Sequence, residues 1–248
     1  LGQNFVIDPN TIRKMIDVAR IGPHDRILEL GAGAGSLTMG LAAAGDQVIA
    51  VEIDDRLVEL LRESFEGIDN VSIVHADAMT LSLGELDATA LVGNLPYNIA
   101  THLVLRVLEE SPQIARITVM TQKEVGERLA AHVGSKSYGQ TSVMTRYYGD
   151  AEVVAQISRR AFYPVPNVDS VVVSVTRGTP PAVDRDELFS VIRAGFSQRR
   201  KTLRNTLAPL SGDATSAAAA LARAGISPSA RAEELSLDDF VRVSEALR

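Results

Sequence analysis

The chain has no cysteine among its 248 residues. That removes disulfides, thiolate catalysis and the usual zinc-finger ligand sets from consideration, and it suits a reducing cytosol. Long apolar runs are missing as well. Stretches such as 90–93 and 170–175 fall far short of the roughly 18–20 residues a bilayer span needs, so no membrane association is expected. There is no basic excess: 25 lysines and arginines stand against 31 acids, a formal charge of −6. At first sight this argues against a polyanionic partner, because nucleic-acid binders carry a basic footprint. The total hides a division. Residues 1–178 hold 15 basic and 22 acidic side chains, a balance of −7, whereas residues 179–248 hold 10 and 9, a balance of +1. An initiating methionine is absent too, which leaves room for upstream residues, a short targeting segment among them.

What is present is the composition of a folded protein, 46% hydrophobic and 23% charged. The length suits one large domain or a large domain with an appendage. From Arg26 to about Arg177, short β-branched runs alternate with amphipathic stretches, the pattern of parallel strands joined by crossover helices. Strands are expected at 27–30, 47–52, 71–75, 90–93, 117–121, 153–157 and 171–176, the last two pairing as an antiparallel edge. Asp8-Pro9 reads as a cap with proline at the first helical position, and Ile12, Met15, Ile16 and Ala19 form one apolar helical face. The expected fold is α/β: a mostly parallel seven-stranded, Rossmann-like sheet with helices on both faces. Gly178-Thr-Pro-Pro181 reads as a linker, after which an alanine-rich, strand-free stretch predicts a small all-α C-terminal domain over 179–248. There, Ser236-Leu-Asp-Asp239 resembles a capping box with aspartate in place of glutamate.

The first strand runs into Gly31-Ala-Gly33-Ala-Gly35, with a helix expected from Ser36, so the glycines fall where backbone must turn sharply and approach a ligand. A tight strand-to-helix turn with no ligand is the plainer alternative. Glu52, ending the second strand, places a carboxylate where it can accept both hydroxyls of a ribose. Asp77, at the end of the third, can accept from the exocyclic amine of an adenine. Three strand ends thus converge on an adenosine-shaped crevice. NAD and S-adenosylmethionine both contain adenosine, and the fourth strand separates them.

That strand delivers Asn94-Leu-Pro-Tyr97, where the chain resembles the N6-adenine methyltransferases of the class I, S-adenosylmethionine-dependent superfamily. An adenine amine is a poor nucleophile because its lone pair is delocalised into the ring. The Asn94 side-chain oxygen and the Leu95 carbonyl can accept its two protons and fix its position, Pro96 fixes the turn, and Tyr97 can stack on the base. A base within folded nucleic acid must leave its stack to reach such a pocket, which calls for aromatic clamps. Phe162-Tyr-Pro164-Val-Pro166 supplies a second ring, with Phe162 expected to face the base and a core phenylalanine as the alternative. The resemblance narrows to the ribosomal RNA adenine dimethyltransferases, and within them to the small-subunit enzymes associated with kasugamycin sensitivity. It is carried by Leu1-Gly-Gln3-Asn-Phe5, Glu29-Leu-Gly31-Ala-Gly33-Ala-Gly35, Val51-Glu52-Ile-Asp54, Asn94-Leu-Pro-Tyr97-Asn, Gln122-Lys-Glu-Val125, Phe162 through Ser170, Phe196 through Asn205, and Leu235 through Phe240.

The resemblance implies S-adenosylmethionine as cofactor, no metal, and a cytoplasmic, monomeric enzyme of ribosome biogenesis. Its substrate would be two adjacent adenosines in a hairpin near the 3′ end of 16S rRNA within the small subunit, each taking two methyl groups at N6. Carried over by position, Gln3, Asn4, Phe5, Glu29, Gly31, Gly33, Gly35, Glu52, Ile53, Asp77, Ala78 and Asn94 line the cofactor site, and Asn94, Leu95, Pro96, Tyr97 and Phe162 hold the target base.

Arg199, Arg200, Lys201 and Arg204 fall within six positions of an expected helix, and Arg159-Arg160 precedes the Phe162 loop. A basic cluster is often a solvated face; with a base-flipping pocket in the same chain, phosphate contact is the reading adopted. Three rival functions stay open: an enzyme on large-subunit RNA of the erythromycin-resistance type, a ribosome-assembly factor that mainly binds immature particles, and a DNA or small-molecule methyltransferase.

Overall fold

The computed structural model describes residues 4–248. In chain order the elements begin β1 (Phe5–Val6), α1 (Pro9–Ala19), β2 (Arg26–Leu30), α2 (Ser36–Ala44), β3 (Gln47–Glu52), α3 (Asp55–Ser64) and β4 (Val71–His75). They continue with β5 (Ala90–Asn94), α4 (Ala100–Glu110), β6 (Arg116–Gln122), α5 (Lys123–Leu129), α6 (Gln140–Tyr148), β7 (Gly149–Ile157), β8 (Phe162–Tyr163) and β9 (Ser170–Arg177). Helices α7 (Arg185–Phe196), α8 (Leu203–Thr206), α9 (Ala208–Ser211), α10 (Ala214–Arg223) and α11 (Leu237–Ala246) complete the chain.

Seven strands form one sheet in the order β4-β3-β2-β5-β6-β9-β7. The five from β4 to β6 are parallel, and β9 runs antiparallel to β6. The expected strands are all present. The last of them, β9, lies between β6 and β7, so the edge itself belongs to β7. Because β3 and β4 lie to one side of β2 and β5 and β6 to the other, strand order reverses between β2 and β5, and a crevice opens beyond their carboxyl ends. That topology brings the glycine loop after β2 beside Asn94 at the end of β5.

Burial accounts for the strands. Ile27, Leu28 and Leu30 of β2 and Val48, Ala50 and Val51 of β3 are buried, as near-continuous apolar runs covered on both faces should be. Helix α1 starts as expected: the Asp8 carboxylate accepts from the Asn10 and Thr11 amides with Pro9 in the first turn, and Met15 and Ala19 join the core. A two-stranded ribbon pairs β1 with β8, matching Phe5 with Tyr163 and Val6 with Phe162. Two residues per strand are too few to show an alternation, and sequence reading left this ribbon out.

The chain divides into two compact units, one of residues up to 130 with 150–177, the other of 131–149 with 178–248. The expected boundary after 178 therefore needs correcting: residues 131–149, assigned to the first domain, belong to the second unit. The cause is helix α6, whose Tyr147 and Tyr148 pack edge-on against Phe189 of α7, at centroid separations of 5.2 and 6.0 Å. A helix between two strands reads as a crossover until its packing partner is known. The second unit is otherwise helical, with Phe240, Leu203, Leu221 and Ala217 fully buried. Its last helix begins with the expected box, in which the Ser236 amide donates to Asp239 at 2.8 Å and the Asp239 amide to the Ser236 hydroxyl at 3.2 Å.

Helix α5 lies on β9 through Gly126, where a Cβ would collide with methyl groups of Val171 and of Val173, the latter at 2.8 Å. Gly126→Ala is therefore expected to overpack this seam by roughly 1–3 kcal/mol, lowering the melting temperature by several degrees. Thermal denaturation followed by circular dichroism checks this, and adding Val171→Ala should recover part of the loss.

Candidate active site

A cavity of about 560 Å³ opens where the carboxyl ends of β2, β3, β4 and β5 meet, a size typical of small-molecule sites. Its floor is the loop from Gly31 to Gly35. Gly31, Gly33 and Gly35 have φ values of 77°, 60° and 83°, a region that side chains with a Cβ rarely adopt. Close approach adds to the requirement: a Cβ on Gly35 would meet Phe65 at 2.8 Å and Leu61 at 2.9 Å, and one on Gly33 would meet the Phe5 ring at 3.3 Å. The Gly31 and Ala32 amides donate to the Val51 carbonyl at 2.9 and 3.1 Å, which seats the loop on the end of β3.

Glu52 does more than its position alone suggested. Its carboxylate is 4% exposed and accepts from the Gly33 amide at 2.9 Å, the Ile53 amide at 2.9 Å and the Asp54 amide at 3.0 Å. A carboxylate offers about four lone-pair positions, so three are used in holding two loops together. One remains for a ligand, which is fewer than the two ribose hydroxyls the sequence reading gave it. Beside it, Ile53 is half-exposed and presents an apolar side chain to the cavity.

Asp77 and Ala78 line the wall two residues and more beyond β4. The Asp77 carboxylate accepts from the Met79 amide at 2.8 Å. Arg106 of α4 fixes this loop from behind, donating to the Ala78 and Leu81 carbonyls at 2.9 and 3.0 Å while both its Nε and Nη2 bind Glu110 at 2.7 Å. Sequence reading gave Arg106 no role; its only signal was an acid four residues later on a helix.

Asn94 ends β5, and its side-chain nitrogen donates to the Asn4 carbonyl at 3.0 Å. The amide is thereby oriented with one of its N–H groups engaged and its oxygen left to accept. The following turn is clamped on either side: the Leu95 amide donates to the Met120 carbonyl at 3.0 Å, and the Pro96 carbonyl accepts from Ile99 and Ala100. Tyr97 lines the cavity half-buried, and its hydroxyl is 3.0 Å from that of Ser170 on β9. Burial pushes the Tyr97 phenol up, with the Ser170 hydroxyl working in the opposite direction. Asn4 and Phe5 also line the cavity; Gln3 lies outside the described residues.

Two expectations are corrected. Phe162 is 1% exposed and packs in the core with Val6, Met15 and Val172 instead of facing the cavity. Pairing of β8 with β1 turns its side chain inward, and the exposed ring of that loop is Tyr163, at 69%. Arg199, Arg200 and Lys201 lie in the turn between α7 and α8, not on a helix, and only Arg204 is helical. The chain leaves α7 there because Leu203, fully buried, donates its amide to the Ala230 carbonyl at 2.8 Å. All four are exposed, as are Arg159 and Arg160. No group of acidic and histidine side chains suited to a metal ion occurs among the described residues, and no helix among them is long and apolar enough to cross a membrane.

Glu29 lines the cavity with 1% exposure. Burial pushes its carboxyl up to about 8; the Thr38 hydroxyl, donating at 2.6 Å, works against that, and the nearby Glu52 carboxylate adds to it. An unfolded chain would lose this proton near the ordinary 4.5. Between these values the folded state holds a proton that the unfolded state has released, so stability falls as pH rises through the window, by about 1.4 kcal/mol per unit for one proton. Urea denaturation from pH 5 to 8 should show a flatter profile for Glu29→Gln than for the unsubstituted protein.

Comparison with known proteins agrees with this geometry. Residues 1–248 match the family described as Ribosomal RNA adenine dimethylase. The chain is 47% identical to the ribosomal RNA small subunit methyltransferase A of Streptomyces griseus, over 98% of this chain and 87% of that one. It is 41% identical to the protein of the same name from Moorella thermoacetica, over 100% and 91%. Among solved structures, a 23S rRNA methyltransferase, ErmE, aligns with a TM-score of 0.75 and 30% identity over 98% of this chain and 99% of that one. A dimethyladenosine transferase from Plasmodium falciparum shares the fold, with a TM-score of 0.85 at 24% identity over 96% and 95%. A class I methyltransferase sheet, a glycine cradle answered by Glu52, an oriented Asn94 and a match along the whole length together place the chain in the ribosomal RNA adenine dimethylase family.

Proposed function

We propose that the protein transfers methyl groups from S-adenosylmethionine to N6 of two adjacent adenosines in a hairpin near the 3′ end of 16S rRNA, giving N6,N6-dimethyladenosines. The observation that carries this is the Asn94 amide, held by the Asn4 carbonyl with its oxygen left to accept, on the wall of a glycine-floored cavity. S-adenosylmethionine supplies an electrophilic sulfonium methyl when bound. The residues present fit it: a loop whose Gly33 and Gly35 leave no space for a Cβ without displacement, a carboxylate with one acceptor position left, an apolar Ile53 and the Asp77 turn.

The protein's part in the transfer is positional. Asn94 Oδ1 and the Leu95 carbonyl accept the amine protons, drawing the nitrogen toward tetrahedral geometry and aiming its lone pair. Tyr97, with its hydroxyl tied to Ser170, offers a fixed ring face to the base. Held by Asn94 and Leu95, the amine nitrogen would offer its own electron pair to the sulfonium methyl that bound S-adenosylmethionine supplies, and the alkylated amine would release a proton to water. A second round leaves only one amine proton to accept, so stacking on Tyr97 retains the base.

Substrate choice follows from the relatives. Identity of 47% to a small-subunit enzyme against 30% to a 23S rRNA methyltransferase favours small-subunit RNA. The exposed Arg159, Arg160, Arg199, Arg200, Lys201 and Arg204 are assigned to phosphate contact, the protein works in the cytoplasm on the assembling subunit, and it acts as a monomer.

Small subunits lacking these methyl groups, incubated with the protein and S-adenosylmethionine, should yield dimethyladenosine on nucleoside mass analysis; its absence refutes the reading. Asn94→Ala should lower transfer by roughly a hundredfold or more through misplacement of the amine. Cofactor affinity by calorimetry should change less than about tenfold, or 1.4 kcal/mol. Replacing Arg199, Arg200 and Lys201 with glutamine should weaken particle binding and reduce its log–log salt slope by about 2, at roughly 0.7–0.9 per phosphate contact.

A further inference from the structure

A second cleft, of about 470 Å³, is lined by Gln122, Lys123, Arg159, Asn167, Val168 and Asp169. It lies one strand over from the catalytic turn. Asn94 of β5 pairs with Met120 of β6, and two residues on, Gln122 pairs with Ser170 of β9. Cross-strand partners project from the same face. Ser170 is the residue whose hydroxyl holds Tyr97, so a single 3.0 Å contact separates the wall of the first cavity from the strand pair beside the second. Clefts at the carboxyl ends of neighbouring parallel strands suit adjacent units of one polymer.

The lining has the chemistry of a nucleotide site. Gln122 and Asn167 bring side-chain amides, each able to donate and accept at once, the pairing that matches the amine and ring nitrogen of adenine. Lys123 and Arg159 bring positive charge. The carboxylates present are engaged: Asp169 accepts the Arg159 amide at 3.0 Å, Glu124 binds Arg128 at 2.6 Å, and Glu127 faces Lys123 at 3.8 Å. The two cations are held loosely, since that last contact is long and the Arg159 guanidinium reaches the Asn167 carbonyl at 3.4 Å. Val168, 44% exposed, gives an apolar surface for a base face.

We infer that this cleft is a second nucleotide subsite, which takes the nucleotide flanking the first adenosine to be methylated, on the same RNA strand and while that neighbour still carries its amine protons, and selects adenine there. Gln122 and Asn167 read the base edge, and Lys123 and Arg159 hold the phosphate. The inference rests on the small-subunit RNA reading and names a further specificity determinant for it.

The test uses small subunits reconstituted with unaltered 16S rRNA or with the adenosine flanking the target changed to uridine. Methylation of the target is followed with the unsubstituted protein, Gln122→Ala and Asn167→Ala. The unsubstituted protein should lose about tenfold or more in kcat/KM on the altered particles, the discrimination expected for one bidentate amide contact. Each variant should lose a comparable factor on unaltered particles and little further on altered ones, while keeping its melting temperature and its affinity for S-adenosylhomocysteine. Asn167 lies on an exposed loop, so its variant stays informative if Gln122→Ala perturbs α5. Indifference of the unsubstituted protein to the flanking base, or full discrimination by both variants, overturns the subsite. No methylation of unaltered particles by the unsubstituted protein would instead remove the functional reading and, with it, the occupant assigned here.

Discussion

Three backbone amides converge on the carboxylate of Glu52, and the glycine-floored cavity depends on that convergence. Gly33 belongs to the loop after β2, Ile53 and Asp54 to the loop after β3. Parallel pairing brings the ends of these strands together but does not set the shape of the chain beyond them. A buried carboxylate does, because leaving it without donors would be costly and each amide it gathers fixes one more piece of backbone. The glycines then follow: with the Gly33 amide turned onto Glu52 and Phe5 and Phe65 packed against the loop, no Cβ can be accommodated at Gly33 or Gly35 without displacement. Glu29 completes this arrangement from below. Burial keeps the Glu29 carboxyl protonated, and the Glu52 carboxylate adds to that effect.

The Asn94 side of the cavity is built on the same plan, from groups outside the Asn94-Leu-Pro-Tyr97 turn. Asn94 takes its orientation from the Asn4 carbonyl, Tyr97 from Ser170 and the Asp77 turn from Arg106. Each holding residue comes from a different part of the chain. The site is thus a set of strand ends whose side chains are locked by neighbours, which is what transfer by positioning requires.

Much of this was legible in the sequence because it rests on local chemistry. Strand-ending glycines, the Asp8-Pro9 start, the Ser236 box and the Asn94-Leu-Pro-Tyr97 turn carry their reasons within a few residues. Tertiary choices were less accessible. Phe162 reads as a stacking ring with a core ring as the alternative, and only its pairing with Val6 turns it inward. The arginines at 199 and 200 sit in a helical context until Leu203 is pulled to Ala230. Helix α6 looks like a crossover until Tyr147 and Tyr148 find Phe189. In each case the deciding contact lies far along the chain, and sequence pattern carries no record of it.

The bond from Asn94 to the Asn4 carbonyl also gives the site a polarity. A side-chain amide can turn end for end at little steric cost, exchanging an acceptor for a donor. Here the exchange would bring oxygen against oxygen at Asn4 and leave the carbonyl without its partner. The amide is therefore keyed in one sense, presenting an acceptor to whatever enters. Under the proposed function, a 6-amino purine would offer protons to it, whereas a 6-oxo purine, guanine or hypoxanthine, would offer lone pairs there and be refused, so that discrimination would be set by a carbonyl that never touches the base.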